Sequence, residues 1–527
     1  MLLPKQSRNC VTGLAAACSL LLIACSPEEV RQVNLIPKPE QMTMTGGTFT
    51  VDSLALFGGQ SSRNIKTVID EAWSGNPEGY QLDVTPGGID LRAGSPDGLF
   101  YGMQTLRQLY AGGEVPCVSI RDNPRFGYRG LHLDVSRHFF SKEEVMKLLD
   151  VMSFYKLNTL HMHLTDAGGW RIEIDKYPKL TSETAFRTES DWRKWWDGRD
   201  RKYLPEGTPG AYGGYYTKED IREIVKHAAS KHINIIPEIE FPGHSEEVLM
   251  AYPELSCSGK PYQNGDFCIG NELSFTFMED VLAEVIDLFP SEYIHIGGDE
   301  CLKNRWKECP HCQQRIRDEH LKDETELQSY FVHRIDQFMS SNGRQVIGWD
   351  EILEGGDLSK NAAVMSWRGA QGGIAAAKRG NKVVMSPLTH CYLDYYQTAD
   401  TAGEPLAYGN CLPVDSVYTL DPYAGLTPAE QKYILGVQAN LWTEYIRDLD
   451  YLEYMTLPRL AAIAEIGWTY GGKDYADFSD RMHSLAKVYD AEGYKYGKHM
   501  FVPETGKVPE SVGGGTGATG SATGTAE

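Results

Sequence analysis

The sequence predicts an α/β protein: a (β/α)8 TIM barrel preceded by a small α/β domain. Three observations carry that prediction. Short apolar runs alternate with amphipathic helical stretches from about residue 130 onward, the pattern of parallel βα units. Eight such runs can be counted. Polar and aromatic side chains collect just beyond each of them, where a barrel keeps its chemistry. A doubly wound open sheet would give no reason for that gathering at every strand. At 527 residues the chain has room for one large barrel and a second, smaller unit.

Residues 1–24 read as an export signal rather than as fold. Lys5 and Arg8 form a basic start, and "VTGLAAACSLLLIAC" is an apolar run too short to span a bilayer comfortably. Its end, Leu22-Ile23-Ala24-Cys25, resembles a bacterial lipobox. That resemblance implies a lipidated Cys25 as the mature N-terminus, residues 25–32 as a tether, and a place in the cell envelope of a Gram-negative bacterium, at the periplasmic face or the cell surface. An ordinary signal peptide with an incidental cysteine is the plainer alternative.

Residues 33–122 form the expected small domain. "EGYQLDVTPGGIDLRAG" alternates like a hairpin turning at Pro86-Gly87-Gly88, and "SPDGLFYGMQTLRQLYAG" reads as a helix entered through Ser95 and Pro96. "RDNPRFGYRG" marks the boundary, and residues 123–500 are assigned to the barrel. Its strands are "GLHLDV" (130–135), "NTLHMHL" (158–164), "INIIPEIE" (233–240), "YIHIG" (293–297), "QVIGW" (345–349), "AVMSW" (363–367), "KVVMS" (382–386) and "GVQANLW" (436–442). The Gly/Thr-rich stretch 501–527 has no apolar periodicity and reads as a disordered tail.

Composition narrows the partners. A formal charge of -21 argues against nucleic acid or an anionic membrane surface as the main partner, so any membrane contact should come through the N-terminal lipid alone. Aromatic residues at 11% suit a ring-binding cleft, and a 41% hydrophobic share can bury a sizeable core. Beyond Cys25 the chain keeps eight cysteines. Cys257 and Cys268 flank a short Gly-rich loop and are the expected bridge in an exported chain. "CPHC" (309–312) has redox spacing but no thioredoxin-like strand before it, so a structural disulfide or a metal knuckle with Cys301 is the better reading.

The strand ends deliver Arg137, His163 with Asp166, Glu240 with His244, Asp299 with Glu300, Trp349, Trp367, Tyr392 with Asp394, and Trp442 with Glu444. Singly, a tryptophan is more often core and a carboxylate more often solvated. Together, three tryptophans, a tyrosine, an arginine and several carboxylates at one mouth predict a site for a small, hydroxyl-rich ring. "EYIHIGGDE" sets the chemistry. A glycosidase normally places two carboxyls about 5–9 Å apart across the bond, which adjacent residues in a turn cannot do. A 2-acetamido sugar can supply the nucleophile itself, with Glu300 as general acid and base and Asp299 orienting the acetamido group.

"HIGGDE" with "RGLHLDVSRHF", "NTLHMHLTD", "PEIEFPGH", "IGWDEIL" and "GVQANLWTE" resembles the β-N-acetylhexosaminidases of glycoside hydrolase family 20, over residues 33 to about 490. The resemblance implies an exo-acting, retaining enzyme that works on a glycan with a terminal 2-acetamido sugar and needs no cofactor or catalytic metal. It implies Glu300 as acid/base, Asp299 as acetamido-orienting residue, and Asp166 with His244 as a supporting relay. Arg137 would fork onto two sugar hydroxyls. Trp349, Trp367 and Trp442 would wall the acetamido pocket, with Tyr392 on the amide oxygen and Asp394 and Glu444 on the outer hydroxyls. After Asp166 the chain departs from a common family form, with Ala167-Gly168 in place of a second acidic or amide residue. Two rivals from other classes are a metal-dependent barrel hydrolase built on His161-x-His163 and a glycan-binding lipoprotein without activity.

Overall fold

The computed structural model describes residues 33–53, 57, 63–198 and 201–501. The signal peptide, Cys25, the tether to residue 32 and the tail beyond Phe501 lie outside them. The small domain is a five-stranded sheet of β1 (Gln41–Thr50), β2 (Ile65–Ile69), β3 (Tyr80–Thr85), β4 (Gly88–Ala93) and β5 (Glu114–Asp122), in the order β1-β5-β3-β4-β2. The predicted hairpin is β3–β4, with Thr85 paired to Gly88 across Pro86-Gly87. Gly88 belongs to the strand pair rather than the turn. It sits at φ +153, and a Cβ there would meet the Asn64 carbonyl at 2.2 Å. Helix α1 (Pro96–Leu109) starts where the sequence placed it. Ser95 caps it by accepting from the Asp97 and Gly98 N–H groups, and proline leads at the first turn.

The barrel strands are β6 (Tyr128–Asp134), β7 (Thr159–His163), β8 (Asn234–Phe241), β9 (Tyr293–Gly297), β10 (Gln345–Trp349), β11 (Ala363–Ser366), β12 (Lys382–Met385) and β13 (Ile434–Leu441). They pair in parallel in that order, and β13 pairs with β6 to close the ring. Their near-continuous burial explains why they read as apolar runs, since a parallel strand is covered on both faces. Helices α2 (Lys142–Phe154) and α3 (Lys218–Ser230) open on capping boxes, Ser141 with Glu144 and Thr217 with Asp220. One unit departs from the expected alternation: β10 and β11 are joined through a single 3-10 turn, Asp350–Leu353, and no α-helix.

Among the described residues no helix is long and apolar enough to cross a membrane. Nor is any disulfide formed there, so the expected Cys257–Cys268 bridge is corrected. The sulfurs of Cys257, Cys268, Cys309 and Cys312 instead converge on one point, and Cys301 sits apart from them beside Asp266.

Candidate active site

At the C-terminal mouth of the barrel one cavity of about 230 Å³ is lined by eleven of the thirteen side chains placed at the strand ends: Arg137, Asp166, His244, Asp299, Glu300, Trp349, Trp367, Tyr392, Asp394, Trp442 and Glu444; His163 and Glu240 are not in its lining. Its volume lies below the roughly 300–1,000 Å³ of a drug-sized pocket, the scale of a single ring.

The floor is a chain of ionisable groups. Arg137 gives one terminal nitrogen to Asp134 Oδ2 at 3.2 Å and the other to Asp166 Oδ2 at 2.7 Å. Asp166 also accepts from His163 Nε2 at 3.1 Å and lies 3.4 Å from His244 Nδ1. Burial alone would raise its pKa, but Arg137, His244 and His163 outweigh that and hold it well below the usual carboxylate range. His244 Nε2 then faces Glu300 at 3.4 Å and Asp299 at 3.7 Å.

The two adjacent carboxylates sit in different surroundings. Gly297 and Gly298 turn the chain out of β9 at φ +66 and +96, and Glu300 itself is at φ +45, a region side chains seldom adopt. The Glu300 side chain is 59% exposed, and its hydrogen bond to His244 pulls its pKa below the ordinary value. Asp299 is buried, and that burial, with the charges of Glu238 and Glu300, pushes its pKa up against the pull of His244. Its Oδ1 has no partner among the described residues.

The walls are aromatic. Trp349 donates its indole N–H to Glu238 at 2.8 Å, and Trp367 donates to Glu351 at 2.9 Å and stacks on Tyr392 at 6.3 Å. Trp442 lies 5.1 Å beneath the Arg137 guanidinium. Asp394 Oδ1 and Glu444 Oε2 are buried without partners among the described residues, and burial raises both pKa values.

Comparison with known proteins agrees with this geometry. The model of the "Glycosyl hydrolase family 20, catalytic domain" matches residues 126–470, and that of the family's "domain 2" matches residues 58–123. The chain belongs to glycoside hydrolase family 20. A β-hexosaminidase of Porphyromonas gingivalis is 40% identical over 93% of this chain and 68% of its own length. One from Akkermansia muciniphila is 33% identical over 88% and 92%. The crystal structure of a family 20 exo-β-N-acetylglucosaminidase from Vibrio harveyi in complex with N-acetylglucosamine superposes with a TM-score of 0.77. It is 31% identical over 88% of this chain and 78% of that one.

Four further residues in or beside the cavity have no role assigned from the sequence alone. Glu240, seen only as a strand-end residue, faces Asp299 and accepts the Gly298 N–H at 3.2 Å. Burial and the Asp299 charge push its pKa well up, which favours its neutral form beside Asp299. Burial and the Asp299 charge likewise raise the Glu351 pKa, to about 8. Tyr395 and Tyr408 complete the rim.

His161 and His163, the pair behind the metal-hydrolase rival, both point into the barrel at Glu238. His163 donates to it at 2.5 Å, and nitrogens of His161 and His295 lie 3.1 and 2.9 Å away. With the Trp349 N–H, the Glu238 carboxylate is ringed by nitrogens of the protein itself, of which His163 Nδ1 and the Trp349 indole are hydrogen-bonded to it. The Ala167-Gly168 departure also has a local cause. A Cβ on Gly168 would meet the Ser136 carbonyl at 2.6 Å and the Arg137 Cα at 2.8 Å, so this loop packs directly beneath Arg137.

Proposed function

We propose that the chain releases terminal, non-reducing β-linked GlcNAc or GalNAc from glycans by an exo-acting, retaining reaction in which the substrate's acetamido group is the nucleophile. The carrying observation is the buried, unpartnered Asp299 Oδ1 beside a half-exposed Glu300 in a one-ring cavity. Two neighbouring carboxylates cannot take opposite sides of a glycosidic bond, so the second group must come from the sugar.

Glu300 protonates the leaving oxygen as the amide oxygen attacks the anomeric carbon, giving a cyclic oxazolinium ion. The same carboxylate then takes a proton from water as that water opens the ring, which restores the original configuration. Asp299 accepts the acetamido N–H, replacing the partner it lacks, and its charge faces the developing cation. Burial and the Asp299 charge favour the neutral form of Glu240 beside it. Trp349, Trp367 and Trp442 enclose the acetamido group, and Tyr392 donates to its oxygen. Asp394 and Glu444 offer unpartnered oxygens to the outer hydroxyls. Arg137, already tied to Asp134 and Asp166, keeps further N–H donors for the sugar.

The test is the ratio of rates on an aryl β-N-acetylglucosaminide and the matching β-glucoside, with Asp299→Asn alongside. The glucoside should be a very poor substrate, and the Asn variant should lose kcat far more than KM. Equal rates on both sugars would end the substrate-assisted reading.

The lipobox-like end of the leader supports a second proposal, that Cys25 carries lipid and tethers the enzyme to the cell envelope. Metabolic labelling with a fatty-acid analogue should mark the wild type and spare Cys25→Ala. An unlabelled wild-type chain cut at another residue would overturn it.

A further inference from the structure

Four cysteines from two separate stretches of the sequence meet behind the catalytic loops. Cys268 Sγ lies 3.6 Å from Cys309 Sγ and 3.7 Å from Cys312 Sγ, and Cys257 Sγ lies 3.7 Å from Cys312 Sγ. All four sulfurs fall within 4.8 Å of one another, and three of the residues are buried. Thiolates 2.3 Å from a tetrahedral zinc stand about 3.8 Å apart along each edge, and three of the sulfur pairs lie at 3.6–3.7 Å. Van der Waals packing of four thiols does not call for this convergence.

The ligands also come as zinc ligands do. Cys309 and Cys312 are a C-x-x-C pair, with Cys309 capping the helix Pro310–Asp318, and the other two flank a loop that folds back on them. Gly270 shows how close that approach is: a Cβ there would meet the backbone between His311 and Cys312 at 2.1–2.2 Å. Soft sulfur donors in a four-fold set select zinc over hard cations.

The position gives the site a task. The loop around Cys268 donates from Phe267 N–H to the Pro242 carbonyl and accepts the Ser245 N–H at Gly265, both at 2.9 Å, so it braces the turn carrying His244. The C-x-x-C pair follows closely after Glu300, and Trp306 between them donates to the Phe267 carbonyl at 2.8 Å. We propose that Cys257, Cys268, Cys309 and Cys312 bind one structural Zn(II) that clamps the loop after β8 to the loop after β9, fixing His244 against Glu300. The metal would take no part in the bond cleavage. Its binding would release the thiol protons to solvent and stabilise the folded loops.

The full-length protein, purified without chelator, should carry one zinc per chain by elemental mass spectrometry. Titration with a mercurial should release that zinc as four thiols are consumed. Cys268→Ser and Cys309→Ser should lose the zinc, lower Tm and cut kcat several-fold with a smaller change in KM, whereas Cys411→Ser, at an exposed thiol outside the cluster, should keep it. Should the cluster variants fail to fold, wild-type protein stripped of metal and reloaded with Co(II) alone keeps the proposal falsifiable. It should show the thiolate charge-transfer and visible d–d bands of a tetrahedral S4 site. Metal-free wild type with these four sulfurs in two disulfides would overturn the assignment, as would bound iron, or zinc that survives both serine changes.

Discussion

His244 stands among three carboxylates, with Nδ1 3.4 Å from Asp166 and Nε2 3.4 Å from Glu300 and 3.7 Å from Asp299. Burial would lower its pKa, but the Asp166 charge and the hydrogen bonds to Asp166 and Glu300 raise it well above the ordinary value. Its protonated, cationic form is therefore favoured. That cation favours ionised Glu300, which is why the open site holds Glu300 low. A bound sugar removes water from Glu300 and pushes its pKa back up, toward the acid the reaction needs. The sign of a test follows. Replacing His244 with Gln removes the cation, so the pKa of Glu300 rises and its protonated form survives to higher pH. The basic limb of kcat/KM should move upward, while the rate at neutral pH falls several-fold because Glu300 and Asp166 lose their common anchor. A limb that stays in place or moves down in the pH–rate profile would separate His244 from the protonation of Glu300.

At the scale of elements, the strands were legible because a parallel strand buried on both faces leaves an unbroken apolar run, and all eight predicted runs fall on barrel strands. Side chains that follow such a run are pinned to the mouth, so eleven of the thirteen lining residues, all but Tyr395 and Tyr408, could be read from position alone. Legibility failed where position depends on a fold-back. Tyr408 reaches the rim from a long connection with no periodicity after β12, and nothing local points there. Glu238 and Glu240 lie inside β8, two residues apart and on the same side, but their roles depend on His163 from β7 and Asp299 after β9. Gly297 is the clearest case of a residue whose reason is tertiary. A Cβ there would strike the Glu240 carboxyl at 2.0 Å, so this glycine is what lets Glu240 approach the turn. The cysteines failed in the same way: pairing by closeness in sequence joined Cys257 to Cys268, whereas the folded loops bring both to Cys309 and Cys312. The helix expected between β10 and β11 is missing because that connection is short, and the 3-10 turn there places Asp350 and Glu351 under Trp367 instead.

Across the whole molecule, the small domain and the barrel share a buried polar joint. Lys156, at the end of the first barrel helix segment, donates to Asp122 Oδ2 at 3.1 Å and to the Tyr80 hydroxyl at 2.9 Å, and its ammonium lies 4.4 Å over the Trp468 ring. Asp122 also accepts from Tyr80 at 2.6 Å and from the Trp468 indole at 2.9 Å. Trp468, from the barrel's C-terminal helices, packs into the small domain's own hydrophobic core. An ion pair this deep contributes little net stability when intact, yet losing one partner strands the other charge at a cost of about 3–5 kcal/mol. Lys156→Met should therefore destabilise the protein by that order, and so should Asp122→Asn, which leaves the ammonium without its counter-charge. The double variant should cost clearly less than the sum, because no charge is then left alone in the joint. Urea unfolding of the four proteins measures this coupling. Turnover of the aryl β-N-acetylglucosaminide by the folded fraction should stay near wild type, since neither residue lines the cavity at the opposite task of sugar binding. Strictly additive losses would mean that the two charges do not depend on each other, and that the joint is held by the aromatic packing of Tyr80, Tyr101 and Trp468 alone.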